Sequence, residues 1–341
     1  MSSISSNGDA SKMGVFDALP PELREMARHR LKSEQIGLAD KFMPFAPKKA
    51  LRFLFCNTCL HFDAYENMQT GDLKRCLTYG NFCRCNKFCP TCSWIYDCQT
   101  AADLLGRFAH MQRDRKAANL SPYRYLFLTL TVKNCPLGQL REQLREMSKG
   151  WQRFIQTKKF QQAITGGWFR GVEYLGDETD PGMAHPHFHV LLVVTSSFFT
   201  KYYIKQAEWV QMWRDAMRLD YDPIVDIRRV KPRLRKIVDT AGQFAERVQS
   251  GASAAASEVC KYSVAPTQVE TMSDADFQTL YQQTLHGRVF AMGGKLKETE
   301  PVPAETIDME VWRYLGVEVW RWGMGQYVMT NFANAKRGED D

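Results

Sequence analysis

Residues 185–195 read HPHFHVLLVVT, and this stretch decides how the rest of the chain is read. A continuous run of β-branched and aliphatic residues behind alternating histidines predicts a strand. In an extended strand, residues two apart share a face, so His187 and His189 project together while Phe188 and Val190 turn the other way. His185 has the same parity, but Pro186 loosens its place in the strand. Two imidazoles one strand repeat apart can chelate one divalent cation. An isolated HxH, however, is more often a pair of hydrogen-bonded strand histidines, so the motif gains meaning only in company.

Working outward, GWFRGVEYLG (167–176) and YRYLFLTLTV (123–132) read as two further strands, and IVDIRRV (224–230) as a fourth. Thr129 and Thr131 alternate with apolar neighbours, giving YRYLFLTLTV one polar face. Glu173 on the neighbouring strand is the best third ligand, because hard carboxylate oxygen suits Mg²⁺ or Mn²⁺. Three protein ligands leave positions open for a phosphate oxygen. PPELREMARHRLKSEQIGLADK (20–41) fits an amphipathic helix with proline at its start, and helices are also expected over 99–118, 137–159, 205–219 and 240–264. Strands and helices mix without regular alternation, which predicts an α+β fold around an antiparallel sheet rather than a doubly wound one. The expected organisation is a tail and helix over 1–50, a cysteine-rich module over 51–98, the main domain over 99–297 and an extension of unknown role over 298–341.

Eight of the ten cysteines fall between Cys56 and Cys98. CNTC (56–59) and CPTC (89–92) each have the spacing of a zinc knuckle, with Cys83 and Cys85 just before the second. Structural Zn²⁺ is expected, holding together a segment of little apolar content, but spacing alone leaves open which four thiols bind and whether one ion or two are held.

In SEVCKYSVAP (257–266), Glu258 and Tyr262 stand four apart, on one face if the segment is helical. A tyrosine can attack a phosphodiester reversibly, with Glu258 positioned to take its proton and Lys261 to meet a phosphate or the phenolate. Alone, this spacing is common in helices of no special role. Small residues in GASAAAS (251–257) leave room beside it. Six of the nine residues in RRVKPRLRK are basic: Arg228, Arg229, Lys231, Arg233, Arg235 and Lys236. They are candidates for salt-dependent phosphate contacts, although a solvated charge run is the commoner meaning of such a segment.

Net charge is +7, with 44% apolar and 24% charged residues, the balance of a soluble globular protein that suits a polyanionic partner. No apolar run is long enough to span a bilayer. The first residues, MSSISSNGDASKMG, lack the apolar stretch of a signal peptide, so a cytoplasmic protein without a membrane partner is expected.

The order of these elements resembles a known family. FLTLTVKN, HPHFHVLLVV and SEVCKYSV are similar to the three successive motifs of HUH-type rolling-circle replication initiator (Rep) proteins of the single-tyrosine plasmid class. NFCRCNKFCPTCSW, YIKQAEWVQMWRDAM, VDIRRVK and LHGRVFAMGGKLKE extend the likeness over residues 51–297. The resemblance implies an HUH-type antiparallel sheet and a metal-dependent endonuclease that nicks one strand of a plasmid origin, forming a 5′-phosphotyrosine. It implies Tyr262 as nucleophile, Glu258 as the acidic residue before it, and Glu173, His187 and His189 as metal ligands. It implies Cys56, Cys83, Cys89 and Cys92 as the zinc set, with Cys59 and Cys85 as alternates. The implied partners are single-stranded and hairpin origin DNA and a host helicase. Rival readings are a transposase or relaxase of the same chemistry, and a non-catalytic, zinc-dependent DNA-binding protein.

Overall fold

Alternation of buried and exposed side chains places each strand face, and long-range pairing places each strand. The computed structural model describes residues 19–176, 179–230, 233–238, 244–249, 256, 259–260, 266–301 and 307–334. Its contacts form two compact units, one of Met1–Ile95, Pro266–Thr271 and Glu305–Asp341, the other of Tyr96–Ala265 and Met272–Ala304. This grouping cuts the chain differently from the four consecutive parts expected from composition, because the last strands pair with the first. Among the described residues no helix is long and apolar enough to cross a membrane.

In the first unit, β1 (Cys59–Asn67) and β2 (Leu73–Gly80) form an antiparallel hairpin. Alternation in CLHFDAYEN buries Leu60, Phe62 and Ala64 on one face. Leu19, Leu23, Met26 and Ala27, on and just before helix Pro21–Gln35, pack with Leu60 and Phe62 and with Trp320 and Tyr327 from the C-terminal part of the chain. The segment, with little apolar content of its own, is therefore also held by a core shared with the helix before it and the strands at the C-terminal end.

In the second unit, β3 (Arg124–Thr131), β4 (Cys135–Pro136), β5 (Gly167–Glu173), β6 (Met183–Ala184), β7 (His187–Val194), β8 (Val225–Arg229), β9 (Arg233–Val238), β10 (Phe244–Gln249) and β11 (Phe290–Gly293) follow in order. The central sheet runs β11-β5-β7-β3-β8 with every neighbour antiparallel, so the α+β expectation holds. One face carries Tyr125, Phe127, Phe169, Leu191 and Val193, packed against Leu104, Phe108 and Met111 of helix Pro90–Ala117. On the other face, Phe188 packs with Trp151 of helix Leu140–Ile155 and Trp213 of helix Gln206–Met217. The single helix expected over 137–159 is instead a 3₁₀ turn, Leu137–Gln139, followed by Leu140–Ile155 and a separate short helix, Lys158–Ala163.

Back in the first unit, β12 (Trp312–Gly323) and β13 (Gln326–Asn334) complete a sheet of order β13-β12-β1-β2, with Cys59 opposite Arg321. One sequence expectation fails outright. Part of the stretch read as helix over 240–264 is β10, which pairs with β9 as Phe244 to Val238 through Gln249 to Arg233. Local periodicity in FAERVQ does not separate the two states, and pairing with RLRKIV decides for the strand.

Candidate metal centres and active-site face

Antiparallel register sets the first centre. Glu173 on β5 lies directly opposite His187 on β7, while His189 lies opposite Gly171 and, on its other side, Thr129 of β3. One Glu173 carboxylate oxygen, Oε2, is 3.0 Å from His187 Nε2 and 2.8 Å from His189 Nε2, and the two Nε2 atoms are 3.0 Å apart. The His187 ring donates from Nδ1 to the His185 carbonyl oxygen at 3.0 Å, which turns its Nε2 toward Glu173. His189 has Thr129 Oγ1 3.4 Å from its Nδ1 and stacks on Phe127 with ring centres 5.3 Å apart. Burial pushes the Glu173 carboxyl up, but its bonds to the two imidazoles and their charge outweigh that and hold it at about 2. Three atoms able to offer lone pairs thus converge on one point, an arrangement that suits a cation better than any shared proton. His185 stands apart, its ring bonded to Asn134. Thr131, expected on an exposed polar face, is buried and donates to Ile224 O at 2.8 Å.

The same sheet face receives the segment that precedes Tyr262. Ala256, Val259 and Cys260 are buried in the cluster with Phe127, Phe169 and Leu191, and Cys260 N–H donates to Ala256 O at 3.1 Å, one helical turn. A Cβ on Gly171 would stand 3.2 Å from the Val259 carbonyl oxygen, so glycine lets this backbone lie close to the strand position facing His189. Glu258, Lys261 and Tyr262 themselves fall outside the described residues.

The basic stretch divides. Arg228 pairs laterally with Phe127, on the ligand face, and its guanidinium lies 5.0 Å from that ring's centre. Arg229 points to the opposite face, 5.3 Å from the Phe199 ring centre. Alternation along β8 therefore prevents the two from acting as one patch. The backbones of Arg233, Arg235 and Lys236 run along β9, while Lys231 lies outside the described residues.

The second centre belongs to the first unit. Buried Arg30 donates to the carbonyls that end helix Pro47–Leu54: to Leu54 O at 3.0 Å and to Cys56 O at 2.8 Å. A cation there complements the carbonyl end of the helix and fixes the position of Cys56. Asn57 follows at φ 60°, a conformation asparagine tolerates, and donates to Met26 O at 3.1 Å. Pro90 opens helix Pro90–Ala117 between Cys89 and Cys92. Cys56 Sγ lies 3.7 Å from both Cys89 Sγ and Cys92 Sγ, and Cys83 Sγ lies 3.5 Å from Cys92 Sγ.

All four sulfurs fall within 4.8 Å of one another, and all four residues are buried. Tetrahedral zinc with ~2.3 Å bonds requires sulfur separations of about 3.8 Å, so the donor set fits that ion closely. Without a cation the four thiols conflict. The Cys89 thiol is held well below its usual range by contacts from Cys56, Cys83 and Cys92, while contacts from Cys56, Cys89 and Cys92 push Cys83 up. A dication removes that conflict by letting every sulfur carry charge. The alternates lie elsewhere: Cys59 Sγ is 3.7 Å from His61 Nε2, and Cys85 is outside the group of four.

Arg30 was not read from the sequence as a supporting residue. It sits among the charged positions of an amphipathic helix, and only the folded chain shows it turned inward.

A family profile described as "Replication protein" matches residues 74–313. The chain belongs to this replication-protein (Rep) family. Among curated Rep relatives, "Protein rep" of Bacillus amyloliquefaciens is 36% identical over 268 residues, spanning 75% of this chain and 73% of its own. "Protein rep" of Streptococcus pneumoniae serotype 2 is 30% identical over 272 residues, 77% of this chain and 75% of that one. A "Replication protein" of Staphylococcus aureus is 34% identical over 184 residues, 51% of this Rep chain and 72% of the relative. No solved structure matches the chain.

Proposed function

We propose that this Rep protein is a cytoplasmic initiator of plasmid rolling-circle replication that nicks one strand of origin DNA through Tyr262 and later rejoins or releases it. The observation that carries the reading is the placement of Val259 against Gly171, on the sheet face where Glu173, His187 and His189 converge. Val259 precedes Tyr262 by three residues in the sequence, and this proximity along the chain supports the reading.

In this reading the HUH-type chemistry proceeds as follows. The Tyr262 oxygen attacks the scissile phosphorus and Glu258 takes the phenolic proton. The bond to the sugar 3′ oxygen breaks, that oxygen leaves as a hydroxyl after gaining a proton, and the 5′ phosphate remains on the tyrosine. The freed 3′ hydroxyl primes synthesis. Conserving one phosphodiester's worth of bond energy in the phosphotyrosine makes rejoining possible. Glu173, His187 and His189 would hold Mg²⁺ or Mn²⁺, which when bound polarises a phosphate oxygen. Lys261 and Arg228 supply positive charge to the strand, and Arg229, Lys231, Arg233, Arg235 and Lys236 extend the contact with origin DNA. Cys56, Cys83, Cys89 and Cys92 would hold structural Zn²⁺, fixing the end of helix Pro47–Leu54 against the start of helix Pro90–Ala117. A host helicase opens the duplex ahead of the polymerase.

The test is nicking of supercoiled plasmid carrying the cognate origin. Tyr262→Phe abolishes conversion to open circles while DNA retention on a gel persists. Nicking at the parental rate by that variant overturns the assignment.

A further inference from the structure

On the face of the central sheet opposite the three ligands lies a cavity of about 340 Å³. Its floor includes Val172 and Phe188, which pair with each other between β5 and β7, one position away from Glu173 and His187. Four guanidinium groups line it, those of Arg141, Arg145, Arg170 and Arg288, and no carboxylate residue lines it among the described residues.

These four are held differently. Arg145 is paired with Glu142 at 2.6 Å, both of them exposed. Arg141 is anchored through Nε to Gln283 O at 3.3 Å and through its Nη2 to Gln282 O, which fixes its fork at the rim. Arg288 is exposed and makes no ion pair among the described residues. Arg170 is the decisive one. Its guanidinium carbon lies 4.0 Å from the Phe188 ring centre, and its Nε and Nη1 are buried with no hydrogen-bond partner among the described residues. Burial pushes its pKa down to about 10, so it remains charged at neutral pH. A ring face meets only part of the demand of such a charge, and unpaired donors in a dry site are costly. Together the four guanidinium groups give the cavity a positive lining, which a doubly charged oxyanion matches best.

We propose that this cavity is a second phosphate-binding site, separate from the nicking centre, that takes the phosphate of a nucleotide with Arg170 at its base and Arg288 closing over it. Nucleotide phosphate reaches the protein from two sources, free mononucleotide and the DNA strand itself. The proposal does not rest on the assignment of Tyr262, since binding is read without cleavage.

Isothermal titration calorimetry on the full-length protein, without divalent metal, tests it with inorganic phosphate, dTMP and a short oligothymidylate. At least one of the three binds with an affinity that falls roughly tenfold or more in both Arg170→Met and Arg288→Ala, the size expected for losing a charge-assisted bond. Binding of phosphate and dTMP assigns the site to free nucleotide, and binding of the oligonucleotide alone assigns it to the strand. Arg170→Met also melts no lower than the parent in phosphate-free buffer, because it removes an unpaired buried cation and keeps the volume filled. Should that variant fail to fold, the exposed Arg288→Ala decides alone. Absence of binding at millimolar concentration, or isotherms unchanged by Arg288→Ala, overturns the site.

Discussion

Glu173 and His187 face each other across β5 and β7, with Oε2 3.0 Å from Nε2, and the same oxygen lies 2.8 Å from His189. This contact converts a strand motif into a centre, because the sheet register alone brings the three donors together. Glu173→Gln keeps the shape and removes the charge. Loss of an outer partner of a metal ligand typically costs 10- to 100-fold, so loss of a ligand should slow Mn²⁺-dependent nicking by about 100-fold or more. Electrophoretic retention of origin DNA, measured alongside, is expected to change little. Unimpaired nicking by Glu173→Gln would remove this carboxylate from the centre.

Gly171 sets how closely the segment before Tyr262 approaches the sheet. A leucine there would collide with the Val259 carbonyl, since even a Cβ stands 3.2 Å away. Overpacking of this kind costs about 1–3 kcal/mol. Gly171→Leu is therefore expected to lower both melting temperature and nicking rate while Mn²⁺ uptake, followed by electron paramagnetic resonance, stays near the parental value. Normal nicking would show that this approach does not matter to the reaction.

The four-sulfur cluster predicts a sharp division among cysteines. Cys83→Ser should lose zinc on purification, measured by plasma mass spectrometry, and melt at lower temperature, because metal binding contributes directly to folding. Cys59→Ser and Cys85→Ser should retain it. Acidification releases the metal for the same reason, as each thiolate must be protonated when the ion leaves. Zinc loss from Cys85→Ser with retention by Cys83→Ser would reverse the assignment.

Glu258 is expected to divide the two halves of the cycle. Glu258→Gln should slow the release that ends a round more than the opening nick, since a phosphate-activated tyrosine needs less help than water does. Single-turnover nicking and termination on a two-origin plasmid measure the two steps. Equal losses in both would contradict separate roles.

Much of the second unit was legible in the sequence because its signals are local. The parity of His187 and His189, the strand at 124–131 and the strand carrying Glu173 follow from period-two alternation. The grouping of Cys56, Cys83, Cys89 and Cys92 needed a fold to choose among six thiols, because spacing permits several sets. Pairing of Cys59 with Arg321 joins positions so far apart that no window reveals it. For the same reason the C-terminal strands gave no hint of their place. Arg170 was hidden in a different way: an arginine between apolar strand positions reads as surface charge until its face is shown to be covered.

The central claim is that residue 262 attacks the DNA. Incubation of the protein with a single-stranded origin oligonucleotide and Mn²⁺, followed by nuclease trimming, proteolysis and tandem mass spectrometry, locates the covalent adduct. The account predicts a nucleotide 5′-phosphate esterified to Tyr262, absent from Tyr262→Phe. An adduct on another residue, or cleavage of the oligonucleotide with no adduct at all, would contradict it.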